Sequence, residues 1–141
     1  MKKILLIHGP NLNLLGEREK EHYGGMTLAK LESTVGKEAR RLGIKIVAFQ
    51  SNHEGRLIDF LQKHRKADGI MINPGALSHY SYALHDALLD ARIPAVEVHL
   101  SDISMREDWR KVSVTAPACA KMISGKKIEG YLEALNYLSK I

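Results

Sequence analysis

Short apolar runs alternate along the chain with longer segments of helical periodicity. The runs ILLI, IKIVAFQ, GIMIN and AVEVHL have the length and branched-residue content of strands, and AKMIS is a weaker fifth candidate. In four intervening or terminal segments, apolar residues recur every three or four positions, as on one face of a helix. The pattern therefore predicts five strands that alternate with helices.

Polar residues mark where the predicted helices begin and end. Thr27 is placed to cap the first helix and Gly43 to end it. Ser51 and Glu54 have the spacing of a capping box at the start of the second helix. Ser78 is placed to cap the third, so the sequence predicts a capped start for three helices.

Strands and helices in this order predict a parallel sheet covered on both faces. Right-handed crossovers leave few topologies for five strands, and a flavodoxin-like three-layer sandwich is the simplest of them. A chain of 141 residues suits one domain, and we find no repeat, low-complexity segment or linker in it. We therefore predict a single α/β domain over residues 1–141, with a five-stranded parallel sheet.

Composition limits the possible environments of the protein. It is 45% hydrophobic and 26% charged, as in soluble globular proteins, and no apolar run approaches the roughly 18 residues of a membrane helix. The N-terminal MKKILLIHGPN has an apolar run too short for a signal peptide, and no small-residue cleavage site follows it. We expect a cytoplasmic protein that does not insert into membranes.

The net charge of +5 suits an anionic partner but does not identify it. The basic residues are scattered, without aromatic interleaving or zinc-finger spacing, so nucleic-acid binding is not expected. The single cysteine, Cys119, cannot form an intramolecular disulfide and has no partners for a zinc site. We interpret it as an inert packed thiol, and we predict no metal site.

The link between the first strand and the first helix is unusually long. It spans about residues 9–25, whereas such links usually take about 2 to 6 residues, so a lid or binding loop is indicated. It contains Asn11, Arg18 and Tyr23. A free tyrosine has a pKa of about 10, so a tyrosine base requires a nearby cation, which an arginine supplies. Packing of these side chains within the loop is the alternative.

Polar side chains also follow the other predicted strands, at the sheet edge where ligands bind in such folds. Asn73 ends the third strand and precedes a flexible PGA turn, with backbone amides of the kind that bind carboxylates or phosphates. Glu97 and His99 are two residues apart on the fourth strand, so their side chains share a face. The glutamate could orient the imidazole for acid–base catalysis, and a simple ion pair is the alternative.

Two further spacings suggest binding residues. His79 and Asp86 are seven residues apart on the predicted third helix and would share one face, although His79 could equally cap or pack. Arg106 and Arg110 would share a face if SMREDWR is a helical turn, and could then approach one anion. A surface helix with acidic neighbours explains the two arginines nearly as well.

Five segments together resemble the type II 3-dehydroquinate dehydratases. They are HGPNLNLLGERE with YGG, SNHEGRLIDFL, INPGALSHYSYALHDAL, PAVEVHLSDISMREDWR and GYLEAL, in the family's order and over nearly the whole chain. The resemblance implies a flavodoxin-like subunit of a homo-dodecamer built of trimers. It also implies conversion of 3-dehydroquinate to 3-dehydroshikimate in the shikimate or quinate pathway, without metal or cofactor.

The resemblance also implies roles for individual residues. Tyr23 corresponds to the base and Arg18 to the group that stabilises its phenolate, while His99 corresponds to the general acid oriented by Glu97. Asn11 corresponds to the asparagine that holds a water at the enolate oxygen. The substrate-binding positions correspond to Asn73, His79, the backbone at Leu100 and Ser101, Arg110, and Asp86 from a neighbouring subunit. The long loop would then be a lid that closes over the substrate.

Several residues depart from the family pattern, and rival functions exist for the fold. Residues that are unusual for the family occupy six positions: Lys20, Tyr80, Tyr82, His85, Lys121 and Lys127. None of these is a proposed catalytic group.

A nucleotide- or flavin-binding module on the same fold would need a phosphate-binding motif, and the first loop matches neither common pattern. A phosphoacceptor domain would need acidic residues at the ends of the first and third strands, where this sequence has His8 and Asn73. A catalytically inactive homologue is disfavoured because the four main catalytic positions are occupied.

Overall fold

The computed structural model describes residues 1–23 and 25–141. The strands are β1 Lys2–His8, β2 Ile44–Gln50, β3 Gly69–Asn73, β4 Ala95–His99 and β5 Lys121–Ser124. The helices are α1 Lys20–Tyr23, α2 Leu28–Arg41, α3 Glu54–Lys63, α4 Tyr82–Ala91 and α5 Ile128–Ser139. Short 3-10 turns occupy Leu12–Leu14, Gly75–His79, Ile103–Met105, Asp108–Arg110 and Ala116–Ala118. In the part of the chain so described, no helix is long and apolar enough to cross a membrane.

The five strands form one parallel sheet in the order β2-β1-β3-β4-β5. His8 pairs with Gln50 of β2 on one side and with Asn73 of β3 on the other, so these strands end at the same level. The predicted five-stranded parallel α/β fold is therefore confirmed, and the polar residues that follow the strands meet at one edge.

Alternating side chains of the sheet divide the core into two layers. Ile4 and Leu6 of β1 pack with α2 and α5, whereas Leu5 and Ile7 pack with α3 and α4. All four side chains are fully buried. Because successive side chains of a strand project to opposite faces, a strand buried on both faces needs the continuous apolar run that the sequence contains.

Helix α2 begins as predicted, but α3 does not. The Thr27 side chain accepts a hydrogen bond from the Lys30 N–H at 3.1 Å. The prediction of a capping box at Ser51 is wrong. The Ser51 N–H donates to the His8 carbonyl beside the sheet, and the helix starts only at Glu54. Ser51 Oγ instead accepts from the His53 N–H at 3.0 Å.

The predicted start of the third long helix is also wrong. Ser81 caps α4 by accepting from the Leu84 N–H, whereas Ser78 and His79 lie in the preceding 3-10 turn. Tyr80 has a non-helical backbone with φ of −152°, which separates this turn from α4. His79 and Asp86 are therefore not on one continuous helix, and the spacing argument that joined them does not hold.

Two loops pack backbone to backbone at the carboxyl edge of the sheet. The Gly9 N–H donates to the Asn73 carbonyl at 2.7 Å, and a Cβ at Gly9 would lie 2.3 Å from the Pro74 carbonyl oxygen. Gly75 has a φ of +60°, and a Cβ there would lie 2.9 Å from the Pro10 carbonyl oxygen. Glycine at both positions lets the first and third strand ends share one wall of a pocket.

Candidate active site

A polar pocket lies at the carboxyl edge of the sheet, beneath the loop that follows β1. All of the predicted site residues line it except Glu97, which lies behind His99, and Asp86, which is exposed on α4. The predicted residues in the lining are Asn11, Arg18, Tyr23, Asn73, His79, His99, Leu100, Ser101 and Arg110. The fold therefore brings together residues from three strand ends and the segment after β4.

Two arginines hold the hydroxyl group of Tyr23. Arg18 Nη2 donates to it at 2.9 Å and Arg106 Nη1 at 3.2 Å. The Arg18 guanidinium carbon also lies 3.9 Å from the centre of the tyrosine ring. Arginine is permanently charged, so the Tyr23 oxygen accepts from two cationic hydrogen-bond donors.

Sequence reasoning missed the contact between Arg106 and Tyr23. SMREDWR does not form the single helical turn on which the shared face of Arg106 and Arg110 depended, because Arg106 is extended between two 3-10 turns. Arg106 and Arg110 nevertheless line the same pocket, and Arg106 Nη1 also donates to Ser101 Oγ at 3.2 Å. The paired arginines were the available signal, but their spacing carried no information on a tyrosine about 80 residues away along the chain.

Glu97 and His99 form a buried pair at the end of β4. Glu97 Oε2 accepts from His99 Nε2 at 2.7 Å, and the two residues are 0% and 6% exposed. Because Nε2 is committed to the carboxylate, Nδ1 is the ring nitrogen left for the pocket. Ser113 Oγ donates to Glu97 Oε2 at 2.6 Å, and Thr115 Oγ1 donates to Oε1.

His79 is positioned as a neutral hydrogen-bonding group. Burial lowers its pKa, and the nearby His99 and Arg110 act in the same direction, against the opposing effect of a hydrogen bond with the Val112 carbonyl. Nδ1 lies 2.7 Å from that carbonyl, so Nδ1 carries the proton and Nε2 is left as an acceptor. The ring also packs edge-on against Trp109.

The two asparagines are held in different ways. Asn73 Nδ2 donates to the hydroxyl of the fully buried Tyr131 at 3.1 Å, and its Oδ1 accepts from the Gly75 N–H. Asn11 has a left-handed backbone with φ of +70°, and its N–H donates to Asn52 Oδ1 at 2.9 Å. Asn73 is thus rigidly oriented, whereas the exposed side chain of Asn11 is at the mouth of the pocket.

Cys119 lies outside the pocket and packs beside the core layer of α3 and α4. Burial raises the pKa of its thiol to about 12, with the negative charge of Glu97 adding to the effect. The thiolate, which is the reactive form, is therefore scarce at neutral pH. The structure agrees with an unreactive thiol.

The fold and the pocket define a class of protein: a flavodoxin-like α/β protein with a tyrosine, two histidines and three arginines around one pocket at the carboxyl edge of its sheet. The sequence model of one family, described as dehydroquinase class II, matches residues 2–139. The chain belongs to this family.

Named relatives and solved structures agree with this assignment. The 3-dehydroquinate dehydratase of Caldicellulosiruptor saccharolyticus is 53% identical over 143 residues, which cover 100% of this chain and 99% of the relative. The type II dehydroquinase of Butyrivibrio crossotus is 44% identical and superposes with a TM-score of 0.95 over 97% of both chains. That of Propionibacterium acnes is 35% identical, with a TM-score of 0.96 over 100% of this chain and 98% of the other.

Proposed function

We propose that this chain is a hydro-lyase that converts 3-dehydroquinate to 3-dehydroshikimate, in the shikimate or quinate pathway of the cytoplasm. The family match and relatives of about 50% identity support the reaction. The observation that carries the proposal is the pocket itself: a tyrosine bonded to two arginines and a buried Glu97–His99 pair line one small site. These are the groups required to remove a proton beside a ketone and to expel a hydroxyl group.

Tyr23 is the proposed base. As a phenolate it takes a proton from C2 of the substrate, and the electron pair of that C–H bond forms an enolate with the C3 carbonyl. Arg18 and Arg106 stabilise the phenolate before the transfer through their hydrogen bonds to its oxygen. Asn11 lines the pocket, and its proposed role is to hold a water molecule against the developing enolate oxygen.

His99 is the proposed acid in the second step. The enolate collapses to form the C1–C2 double bond, the bond from C1 to its hydroxyl group breaks, and the leaving oxygen takes a proton from His99 Nδ1 and departs as water. Glu97 stabilises the imidazolium through Nε2. Return of the tyrosine proton to the histidine by way of solvent restores both groups. The product is a conjugated enone.

The remaining pocket residues are proposed to bind the substrate. Arg110 supplies a positive charge for the carboxylate, and the backbone at Leu100 and Ser101 supplies polar groups at the strand end. Asn73 and the neutral His79 are fixed by their own hydrogen bonds, so they can orient the hydroxyl groups of the ligand. The segment at about 9–25 is the proposed lid of this single domain.

The assembly proposed for the chain is a homo-dodecamer built of trimers. Asp86 lies outside the pocket of its own chain and is exposed on α4, which supports its contribution to a neighbouring subunit's site. The same region exposes two large aromatic side chains, those of Tyr80 and Tyr82, at 63% and 69%. Burial of such a surface against another copy would be favourable.

The reaction is tested directly by mixing the purified protein with 3-dehydroquinate in the presence of a metal chelator. Formation of a conjugated enone raises the near-ultraviolet absorbance, so we expect a steady rise that depends on protein concentration and is unaffected by the chelator. No rise with correctly folded and assembled protein would contradict the proposed reaction. A rise abolished by the chelator would contradict the metal-independent mechanism.

A further inference from the structure

The buried carboxylate of Glu97 is held by two hydroxyl groups that the mechanism above does not use. Ser113 Oγ donates to Oε2 at 2.6 Å and Thr115 Oγ1 donates to Oε1, on the side chain whose Oε2 also accepts from His99. Glu97 and Thr115 are both fully buried. Among residues 1–23 and 25–141, Glu97 forms no ion pair with a lysine or arginine. The two hydroxyl groups therefore satisfy a carboxylate that burial has removed from water.

The hydrogen-bond pattern fixes the direction of each hydroxyl proton. Ser113 Oγ accepts from the Ala116 N–H at 3.0 Å, so its own proton is directed to Glu97. The two hydroxyl oxygens lie 3.2 Å apart. Each hydroxyl has only one proton, and each donates it in a hydrogen bond to the carboxylate. Because both hydroxyls donate to Glu97, the carboxylate is arranged as an acceptor on every side, and its contact with His99 is a hydrogen bond from Nε2–H. One imidazole proton is thereby held on Nε2, and Nδ1 is directed to the pocket, where it carries the second proton that His99 donates as the acid.

The segment that carries these hydroxyls is itself anchored next to the pocket. The Val114 N–H donates to the Ser78 carbonyl at 2.6 Å, and the Val112 carbonyl lies 2.7 Å from His79 Nδ1. Residues 112–115 thus connect the two histidines of the site. Displacement of this segment would disturb the orientation of both.

We propose that Ser113 and Thr115 are positioning residues that hold the carboxylate of Glu97 aligned on His99, and so set His99 as the acid for loss of the C1 hydroxyl group. This inference rests on the proposed function, because it assigns the two hydroxyls to the second step of that reaction. Neither residue lines the pocket, so both act through Glu97 and do not touch the substrate.

The test compares Ser113→Ala, Thr115→Val and Thr115→Ser with the parent. Loss of one hydrogen bond to a buried charged group predicts a fall in kcat of about 10- to 100-fold for Ser113→Ala and Thr115→Val. KM should change by less than about twofold, since the groups proposed to bind substrate are untouched. Thr115→Ser retains the hydroxyl and should recover most of kcat. The matched control Thr34→Val removes an exposed hydroxyl that bonds only within α2, and should leave kcat unchanged.

A second readout separates positioning of the acid from general damage. In deuterium oxide, slower loss of the hydroxyl group gives the enolate more time to be reprotonated by Tyr23. Recovered 3-dehydroquinate should therefore contain more deuterium at C2, per molecule of product formed, with the two hydroxyl-deleting variants than with the parent. A structural defect that slows both steps equally would leave this ratio at the parental value.

The outcomes are distinguishable. Parental kcat in both Ser113→Ala and Thr115→Val, or an unchanged deuterium ratio, would overturn the positioning role while the proposed reaction stands. A parent that does not dehydrate 3-dehydroquinate would overturn both. If Ser113→Ala fails to fold, as judged by its thermal midpoint, the comparison of Thr115→Val with Thr115→Ser decides the matter.

Discussion

At the scale of single residues, the arrangement around Tyr23 is the central feature of the site. A phenol is a weak base at neutral pH because its proton is normally held until about pH 10. Two guanidinium groups that remain charged at every relevant pH donate to the Tyr23 oxygen. The case for Tyr23 as the base therefore rests on geometry, because two permanently charged donors face the oxygen that would accept the proton.

Arg106 is therefore expected to matter for catalysis as well as for binding. Arg106→Ala removes a charged hydrogen bond from the Tyr23 oxygen and from Ser101, so we predict a fall in kcat of about 10- to 100-fold. Steady-state kinetics with 3-dehydroquinate measures the change. Arg56→Ala, which removes an exposed arginine of α3, is the matched control and should leave kcat unchanged. Parental kcat in Arg106→Ala would show that Arg18 alone supports Tyr23.

At the scale of elements, the sequence was most informative where one physical rule dominates. Strands buried on both faces need continuous apolar runs, and parallel pairing then aligns the strand ends, so Asn73 and His99 could be assigned to one edge. Helix starts were less predictable, because Ser51 and Ser78 both have cap-forming side chains and neither caps a helix. Their tertiary positions, beside the sheet and in a 3-10 turn, overrode the local preference.

The segment after β4 was the least predictable part of the site. It consists mainly of 3-10 turns and extended residues without a regular period, so side-chain directions there cannot be read from spacing. This explains why the contact of Arg106 with Tyr23, and the bonds of Ser113 and Thr115 to Glu97, were missed. No local pattern distinguishes these hydroxyls from others in surface loops.

The close packing of the first and third loops gives a prediction for Gly9. Gly9→Ala would place a Cβ 2.3 Å from the Pro74 carbonyl oxygen, a contact that only a backbone shift can relieve. We expect destabilisation of about 1–3 kcal/mol, measured as a lower thermal midpoint at fixed protein concentration. We also expect reduced activity, since Pro10 and Asn11 next to it line the pocket.

A second glycine provides the control for this substitution. A Cβ at Gly55, in the first turn of α3, meets no atom within 4 Å. Gly55→Ala should therefore raise the thermal midpoint slightly, by an amount that reflects roughly 0.5–1 kcal/mol of helix preference, and leave activity unchanged. Equal midpoints for Gly9→Ala and the parent would contradict the tight contact of the two loops.

At the scale of the whole molecule, the main question is whether one chain contains a complete site. The pocket is lined by three arginines, while Asp86 is exposed on α4 and lies outside it. Three large apolar side chains are also exposed on or just before α4, those of Tyr80, Tyr82 and Leu89, at 63%, 69% and 52%. A site shared between neighbouring copies would explain both the distant carboxylate and the apolar surface.

Mixed assemblies test the shared site. Asp86→Ala and Tyr23→Phe should each have low activity alone, but a co-assembled equal mixture should recover about a quarter of the parental activity, because one site in four would combine native residues from two chains. The control mixture of Tyr23→Phe with His99→Ala should recover none, since both residues line the same chain's pocket. No recovery in the first mixture would contradict contribution of Asp86 by a neighbour.

The most direct test of the account is the turnover of Tyr23→Phe with 3-dehydroquinate, measured beside the parent and Tyr137→Phe. Removal of the base should lower kcat by about 100- to 10,000-fold, with parental fold and assembly. Tyr137→Phe removes the hydroxyl of a half-buried tyrosine on α5 that lies outside the pocket, and should keep parental turnover. A Tyr23→Phe protein that dehydrates 3-dehydroquinate at the parental rate would contradict the assignment of Tyr23 as the base.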